Sequence, residues 1–376
     1  MSKPSEAKLN VVVVGGGVGG APVARALSST LDASRFNLIL VNPLPYALYI
    51  IAGARLVVSD IDSKLDETTK VPYDRLFIGG KGTFKQGSVV SVEKAQTGGT
   101  LVLEDGERLP FFALVVATGS KWAGPLDFPR TEAGVTQWLA DRRAEFKKAE
   151  NIVIGGGGAV GIELAGEIKD VWPNKPVTIV HNQRLLLNDT YPDKFRRRME
   201  QGLHARGIVT VFEDSVGELA PGVTSITTQK GKTLSADLVV PSWGIKPNTS
   251  LLADLNKESE VLSANGFVKV RDTLQLPAHP DIFAVGDIID VKEQKQAAKT
   301  GGHAAVVAAN VVSFVNGQPL TKKYKGSYEL ILVTNGKNGG LAYFGVLWGL
   351  VFGDWFARMM KSKTLMVDRF RQGLGY

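Results

Sequence analysis

Gly15, Gly17 and Gly20 stand in a G-x-G-x-x-G spacing, and Gly156, Gly158 and Gly161 repeat it about 140 residues later. Glycine at each of these places has a separate task. The first turns the chain tightly off a strand, the second lets the backbone approach a pyrophosphate, and the third lets the next helix pack closely. The helix that opens there offers unpaired N–H groups and a field that favours phosphate. Gly19 lies within the first loop, and Gly155 extends the second. One such loop is a weak signal. Two imply a chain that holds two dinucleotides, one delivering electrons and one relaying them.

Each loop needs a strand before it and a helix after it. The apolar run LNVVVV (9–14) reads as a buried parallel strand, PVARALSSTL as a helix, and Phe36–Asn42 as the next strand. Around the second loop, Asn151–Ile154 and Val177–His181 read as strands, preceded by a helical stretch from about 131 to 148. Between Lys85 and Leu109, short β-like runs broken by TGG and EDGE predict a small antiparallel excursion, after which ALVVATGS (113–120) returns to the sheet. Leu238–Val240 reads as a later strand of the second unit, ending in PSWGIKPNTS. DIFAVGDIID (281–290) reads as a strand ending in Gly-Asp, followed by a helix containing GGHAAVVAANVVSFV. The expected class is α/β, with two Rossmann-like dinucleotide-binding domains and a C-terminal appendage. The boundaries expected are 1–130 with 258–318 for the first domain, 131–257 for the inserted second, and 319–376 for the appendage.

Side chains near the loops narrow the ligands. Asn42 stands where Asp or Glu usually accepts from a ribose; it can still hydrogen-bond but carries no charge. Asp287 follows a buried strand, where its carboxylate could accept from a ribityl hydroxyl, cap a helix, or do both. With Ala117, Thr118 and Gly119 of ATGS and Gly286 of FAVGD, it favours FAD over a second nicotinamide in the first site. His303 falls near the flavin-side helix or packs as an ordinary helical histidine. In the second site, His181 lies twenty residues after Gly161, where an acidic residue would bind both ribose hydroxyls and repel a 2′-phosphate. His181 with Asn182, Gln183 and Arg184 offers hydrogen bonds and positive charge instead, so NADPH is slightly favoured and NADH is accepted. Glu163 sits in the first turns of the following helix, where negative charge is stabilised.

The chain has no cysteine, so it holds no redox dithiol, disulfide or cysteine metal site. Its four histidines (181, 204, 279 and 303) are scattered, and no metal is expected. The start, MSKPSEAKLN, lacks the apolar core of a signal peptide, and Ser2 stands where myristoylation needs glycine. A reducing, cytoplasmic setting is the expectation. Of the formal charge of +7, most sits after Pro319, where nine Lys and Arg oppose three Asp and Glu. That concentration argues against whole-molecule nucleic-acid binding. The tail segment GGLAYFGVLWGLVFGDWFARMMKSK is too short in its apolar part for a transmembrane helix. If helical, it would align Gly345, Gly349 and Gly353 beside Trp348, Phe352, Trp355 and Phe356, with Lys361, Lys363, Arg369 and Arg371 following. It reads either as a helix covering the flavin domain or forming a homodimer, or as a membrane-surface element that admits a lipid-like quinone.

The ordered set GGGVGG, ATGS, GGGAVGIELAGEI, GIKPNT and FAVGD resembles the two-dinucleotide flavoproteins of glutathione-reductase-like fold over nearly the full chain. More narrowly it resembles the apoptosis-inducing-factor-like branch that includes the ferroptosis suppressor proteins and is related to type II NADH dehydrogenases. The resemblance implies that the first loop and Asp287 hold FAD and the second loop receives NADPH or NADH, with Gly244 of GIKPNT among the binding positions. It also implies that Glu163 faces the nicotinamide–flavin junction. Lys361 in MMKSKT matches a family lysine near the flavin and quinone site. Arg55 matches a family position, whereas Leu48 and Tyr49 replace an expected histidine. The implied activity is hydride transfer from NAD(P)H to FAD and then electron transfer to a quinone. The alternatives are an NAD(P)H oxidase making reactive oxygen species, a redox sensor with ligand-dependent dimerisation, and transfer to a ferredoxin-like protein.

Overall fold

The computed structural model describes residues 7–376 apart from 63, 219, 221 and 348. Ser2 and Trp348, both singled out above, lie outside the described residues. The Val11–Val14 run is buried because its strand, Leu9–Val14, sits at the centre of a five-stranded parallel sheet. Phe36–Asn42 pairs on one side, with Val11 opposite Leu38, and Ala113–Val116 pairs on the other, with Val11 opposite Ala113. Thr83–Gln86 and Ile282–Ala284 form the two edges. The helices Gly20–Thr30 and Ala297–Val315 contact each other and line this core.

The chain leaves this sheet after Val116 and returns to it at Ile282. Between those points it builds a four-stranded parallel sheet in the order Ile208–Phe212, Val177–His181, Ile152–Gly155, Leu238–Pro241. The helix Glu132–Lys148 leads into it, started by Thr131, whose side chain accepts the Gly134 N–H. The excursion before Ala113 is a three-stranded antiparallel sheet of Val89–Lys94, Gly99–Leu103 and Arg108–Phe111.

The tail differs from a helical reading. Leu330–Thr334, Gly340–Phe344 and Leu350–Phe352 form an antiparallel sheet, and helix begins only at Asp354–Ala357, continuing as a π-turn over Arg358–Ser362. Gly345, Gly349 and Gly353 therefore share no helix face: Gly349 turns the hairpin at φ 89°, and Gly353 precedes the short helix. Three glycines in nine residues disfavour helix and suit a hairpin.

Arg55, from the helix Gly53–Val58, ties these parts together. Its guanidinium makes two bonds of 2.8 and 2.9 Å to Glu167 on the helix Ala159–Val171, and it also donates to the Ser362 carbonyl at 2.7 Å. Both side chains are buried. Breaking a buried pair strands the remaining charge. Arg55→Met should therefore lower unfolding free energy by about 3 kcal/mol in urea titrations, while the folded fraction keeps its flavin spectrum.

Candidate functional site

The first glycine loop opens into a cleft between the first sheet and the connections from the inserted domain. Gly15 has φ 103°, and a Cβ there would lie 2.3 Å from the Ala117 carbonyl oxygen. A Cβ on Gly20 would lie 1.9 Å from the Gly15 oxygen, whereas one on Gly17 would meet nothing within 4 Å. The outer two glycines serve backbone packing, and Gly17 faces open space in the cleft. The second loop repeats this division: Gly156 and Gly161 are blocked by Ser242 and by Gly156 itself, and Gly158 is open.

Gly15, Gly17, Gly19, Asn42, Ala117, Thr118, Gly119, Gly286 and Asp287 all line the first cleft, with Gly20 directly behind it at the helix start. The Asn42 Oδ1 accepts the Gly16 N–H at 3.0 Å and its amide donates to the Leu44 carbonyl, so it braces the loop. Asp287 accepts from Ser120 at 2.9 Å; burial pushes its carboxyl above the usual range, against that hydrogen bond. The Thr118 hydroxyl and the Asn248 N–H link ATGS to GIKPNT, fixing the cleft's far wall.

Two observations test whether a flavin dinucleotide fits. Tyr46 Oη and Trp122 Nε1, both in the lining, are buried without a hydrogen-bond partner among the described residues. A buried polar atom left unpaired is costly, so a polar ligand is wanted there. The open Gly17 cradle and Asp287 complete a pyrophosphate seat and a hydroxyl acceptor. The residues fit FAD.

His303 lies outside this lining. Its Nδ1 accepts the Gly286 N–H at 3.3 Å, and its Nε2 bonds Glu293 at 2.9 Å, with Tyr324 donating to the other Glu293 oxygen. It holds the turn that presents Asp287. Arg55 is likewise placed away from the cleft, bonded to Glu167 and the tail as described above.

Gly156, Gly158, His181 and Gly244 line the second cleft, where Gln296 Oε1 is buried without a partner among the described residues. Gly161 packs behind it. A dinucleotide fits here on the same grounds. The expected positive charge does not face it. The His181 Nδ1 accepts the Gly157 N–H at 3.1 Å, leaving Nε2 to donate to the Leu187 carbonyl at 2.9 Å. An Nδ1 that accepts carries no proton, and burial pushes the pKa of the ring down. Arg184 is outside the lining and paired with Asp193.

Glu163 and Lys361 meet. The Lys361 ammonium lies 2.7 Å from Glu163 Oε1 and also donates to the Leu332 carbonyl at 3.1 Å, while the Thr334 N–H donates to the same carboxylate. Each side chain is 12% exposed. Neither lines either cleft, but the strand Leu330–Thr334 joins them to the second through Ile331. On the other side, the charge of Glu163 helps push up the pKa of buried Tyr49, whose neighbour Leu48 lines the first. The pair joins the helix Ala159–Val171 to the tail, next to the strand that supplies Ile331 to the second cleft. Sequence reasoning named both residues but not their contact, which joins positions 198 apart. Tyr46, Trp122 and Gln296 carried no sequence signal at all.

The family model described as pyridine nucleotide-disulphide oxidoreductase matches residues 9–309. The chain belongs to that family. It is 58% identical over 320 residues to FAD-dependent oxidoreductase FVFD30 of Flammulina velutipes, covering 85% of this chain and 99% of that one. Apoptosis-inducing factor homolog B of Dictyostelium discoideum and ferroptosis suppressor protein 1 of Homo sapiens are each 30% identical, over 96% of this chain and 96% and 94% of theirs. The sulfide:quinone oxidoreductase of Aquifex aeolicus superposes with a TM-score of 0.78 at 19% identity, over 98% of this chain and 92% of that one. The resemblance to apoptosis-inducing-factor and ferroptosis-suppressor proteins therefore holds, as does the FAD-dependent oxidoreductase class with FAD and NAD(P)H as its cofactors. Among the described residues no cluster could hold a metal ion.

Two outcomes follow for the loops and histidines. Gly17→Val should remove bound flavin, read as the visible absorbance of purified protein, with the apoprotein still folded. Gly20→Val should instead lower the melting temperature or abolish expression, because its side chain meets the Gly15 backbone. His181, His279 and His303 all have pKa values lowered, chiefly by burial, from an ordinary 6.5. Below that value the unfolded chain takes up protons that the folded chain does not. Stability should be flat above about pH 6.5 and fall as the pH drops below it, measured by denaturant midpoints across that range.

Proposed function

We propose that this chain is an FAD-dependent NAD(P)H:quinone oxidoreductase, with FAD in the first cleft and NAD(P)H in the second. The observation that carries the reading is the Glu163–Lys361 pair, which ties the helix after the second glycine loop to the tail. Bound FAD supplies the two-electron relay between a hydride donor and an acceptor. The chain's own residues do the rest. Asp287 and the loop glycines fix the flavin's dinucleotide part, and His303 fixes Asp287. Glu163 holds the Lys361 ammonium in place, and that ammonium stabilises negative charge developing on a quinone oxygen. The proton that balances quinol formation enters from solvent.

The tail suits an apolar acceptor. Leu347 and Trp355 are 72% and 75% exposed, Phe352, Met359 and Met360 are exposed too, and Phe352 stacks on Phe356 with Phe344 edge-on to both. Arg358 and Lys363 flank this surface in sequence. Apolar and aromatic groups with basic neighbours match an element that rests on a membrane surface. No helix among the described residues is long and apolar enough to cross a membrane. The reading is a cytoplasmic enzyme that docks peripherally on anionic bilayers. The sulfide:quinone oxidoreductase of Aquifex aeolicus, on a related fold, is named for a quinone acceptor.

Stopped-flow mixing of the flavoprotein with NADH or NADPH, then with short- and long-chain quinones or oxygen, tests the activity. Reduced flavin should be reoxidised by quinone well ahead of oxygen, and Lys361→Met should slow that half-reaction by about 100-fold with less effect on flavin reduction. Reoxidation at the same rate with and without quinone would instead identify an oxidase. Sedimentation with vesicles rich in phosphatidylserine checks the surface. Leu347→Ser with Trp355→Ser should release the protein while leaving reduction of a water-soluble quinone intact.

A further inference from the structure

The second cleft poses a question that oxidoreductase chemistry leaves open: whether a donor with a 2′-phosphate on its adenosine ribose is accepted as readily as one without. That phosphate brings a charge of about −1.5 to −2 and three acceptor oxygens. A site that favours it must place an available cation or several free donors at the end of the second strand.

Three cations in that neighbourhood, Arg184, Arg196 and Lys295, are committed elsewhere. Arg184 binds both oxygens of Asp193, at 2.7 and 2.8 Å. Asp193 is itself held ionised by Arg184 and Arg196, and it stands in the first turn of the helix Asp193–His204, where negative charge is stabilised. Arg196 is fully buried and donates to the Leu185 and Leu186 carbonyls, pinning the loop after His181 from below. Lys295 lines the cleft but donates to the Ile289 and Val291 carbonyls. Lys230 is exposed and outside the lining.

His181 is fixed with one nitrogen accepting from Gly157 and the other turned to Leu187. What faces the ribose end is the neutral carboxamides of Asn182 and Gln183, with Asp214 beside them. A hydrogen bond with the Thr228 side chain, helped by the Ser215 and Lys230 backbone N–H groups, lowers the pKa of the Asp214 carboxyl. A carboxylate near a phosphate repels it, whereas ribose hydroxyls can bond amides.

We infer that the second cleft selects NADH over NADPH, and that Asp193 is the specificity-determining residue, because it keeps Arg184 from a 2′-phosphate. The inference rests on the dinucleotide lying in the second cleft, but not on the identity of the acceptor.

Equilibrium binding to the FAD-loaded protein decides it. NAD⁺ and NADP⁺ would be titrated calorimetrically without any acceptor, alongside 5′-AMP and 2′,5′-ADP as probes of the adenosine end. Wild type should bind NAD⁺ about tenfold more tightly than NADP⁺. Asp193→Asn should improve NADP⁺ by about fivefold with NAD⁺ unchanged. Arg184→Gln should leave the wild-type ratio as it is, and it serves if the first variant folds poorly. The inference is overturned if wild type binds NADP⁺ as tightly as NAD⁺, or if Arg184→Gln weakens NADP⁺ alone. Gly158→Val should abolish binding of both. If both still bind, the placement in this cleft has failed, and the selectivity with it. Quinone turnover, measured separately, bears on neither result.

Discussion

Two carboxylates four residues apart on one helix govern how this molecule is assembled. Glu163 and Glu167 lie on the Ala159–Val171 helix, one turn apart and therefore on one face. Burial is the main cause that raises the pKa of Glu167, and the charge of Glu163 adds to it. Burying a carboxylate is costly unless a cation or a donor meets it. The compensating cations come from opposite ends of the chain: Arg55 from the first domain and Lys361 from the tail. Arg55 also donates to the backbone carbonyls of Ser362 and Lys363, just past Lys361. The inserted domain, the flavin domain and the tail are thus locked by one requirement, that two buried negative charges be met.

A second constraint acts on the loops. Each nucleotide cleft has a buried histidine whose Nδ1 accepts a glycine N–H, from Gly157 in one case and Gly286 in the other. The remaining ring nitrogen is anchored to a carbonyl or a carboxylate. Such a ring holds a glycine-rich turn that has no side chain of its own to pack. The geometry costs the histidine its charge, since burial lowers both pKa values. Positive charge at either cleft has to come from somewhere else, or be absent.

The strands and both fingerprints were legible because they depend on local order: apolar runs, glycine spacing and short motifs. Phe36–Asn42 and Val177–His181 are observed with the bounds read from sequence. Two kinds of information were not legible. Arg55 and Arg184 have the residue type of ligand-binding cations, but their partners, Glu167 and Asp193, can only be assigned once the chain is folded. The tail failed for a different reason. Its apolar run fits helix and strand equally by hydrophobicity, and the deciding feature is the glycine at 349 with its positive φ, which closes a hairpin.

That hairpin explains how the tail is built. A continuous helix over 341–361 would set Trp355 and Lys361 six residues apart on one rod, presenting both to the same environment only in part. The observed arrangement separates them. The hairpin and short helix turn Trp355 outward, while the π-turn that follows brings Lys361 inward to Glu163. An extra residue in a helical turn rotates everything after it, and π-turns recur at functional sites for that reason. One short segment therefore joins an apolar outer surface to a buried ammonium.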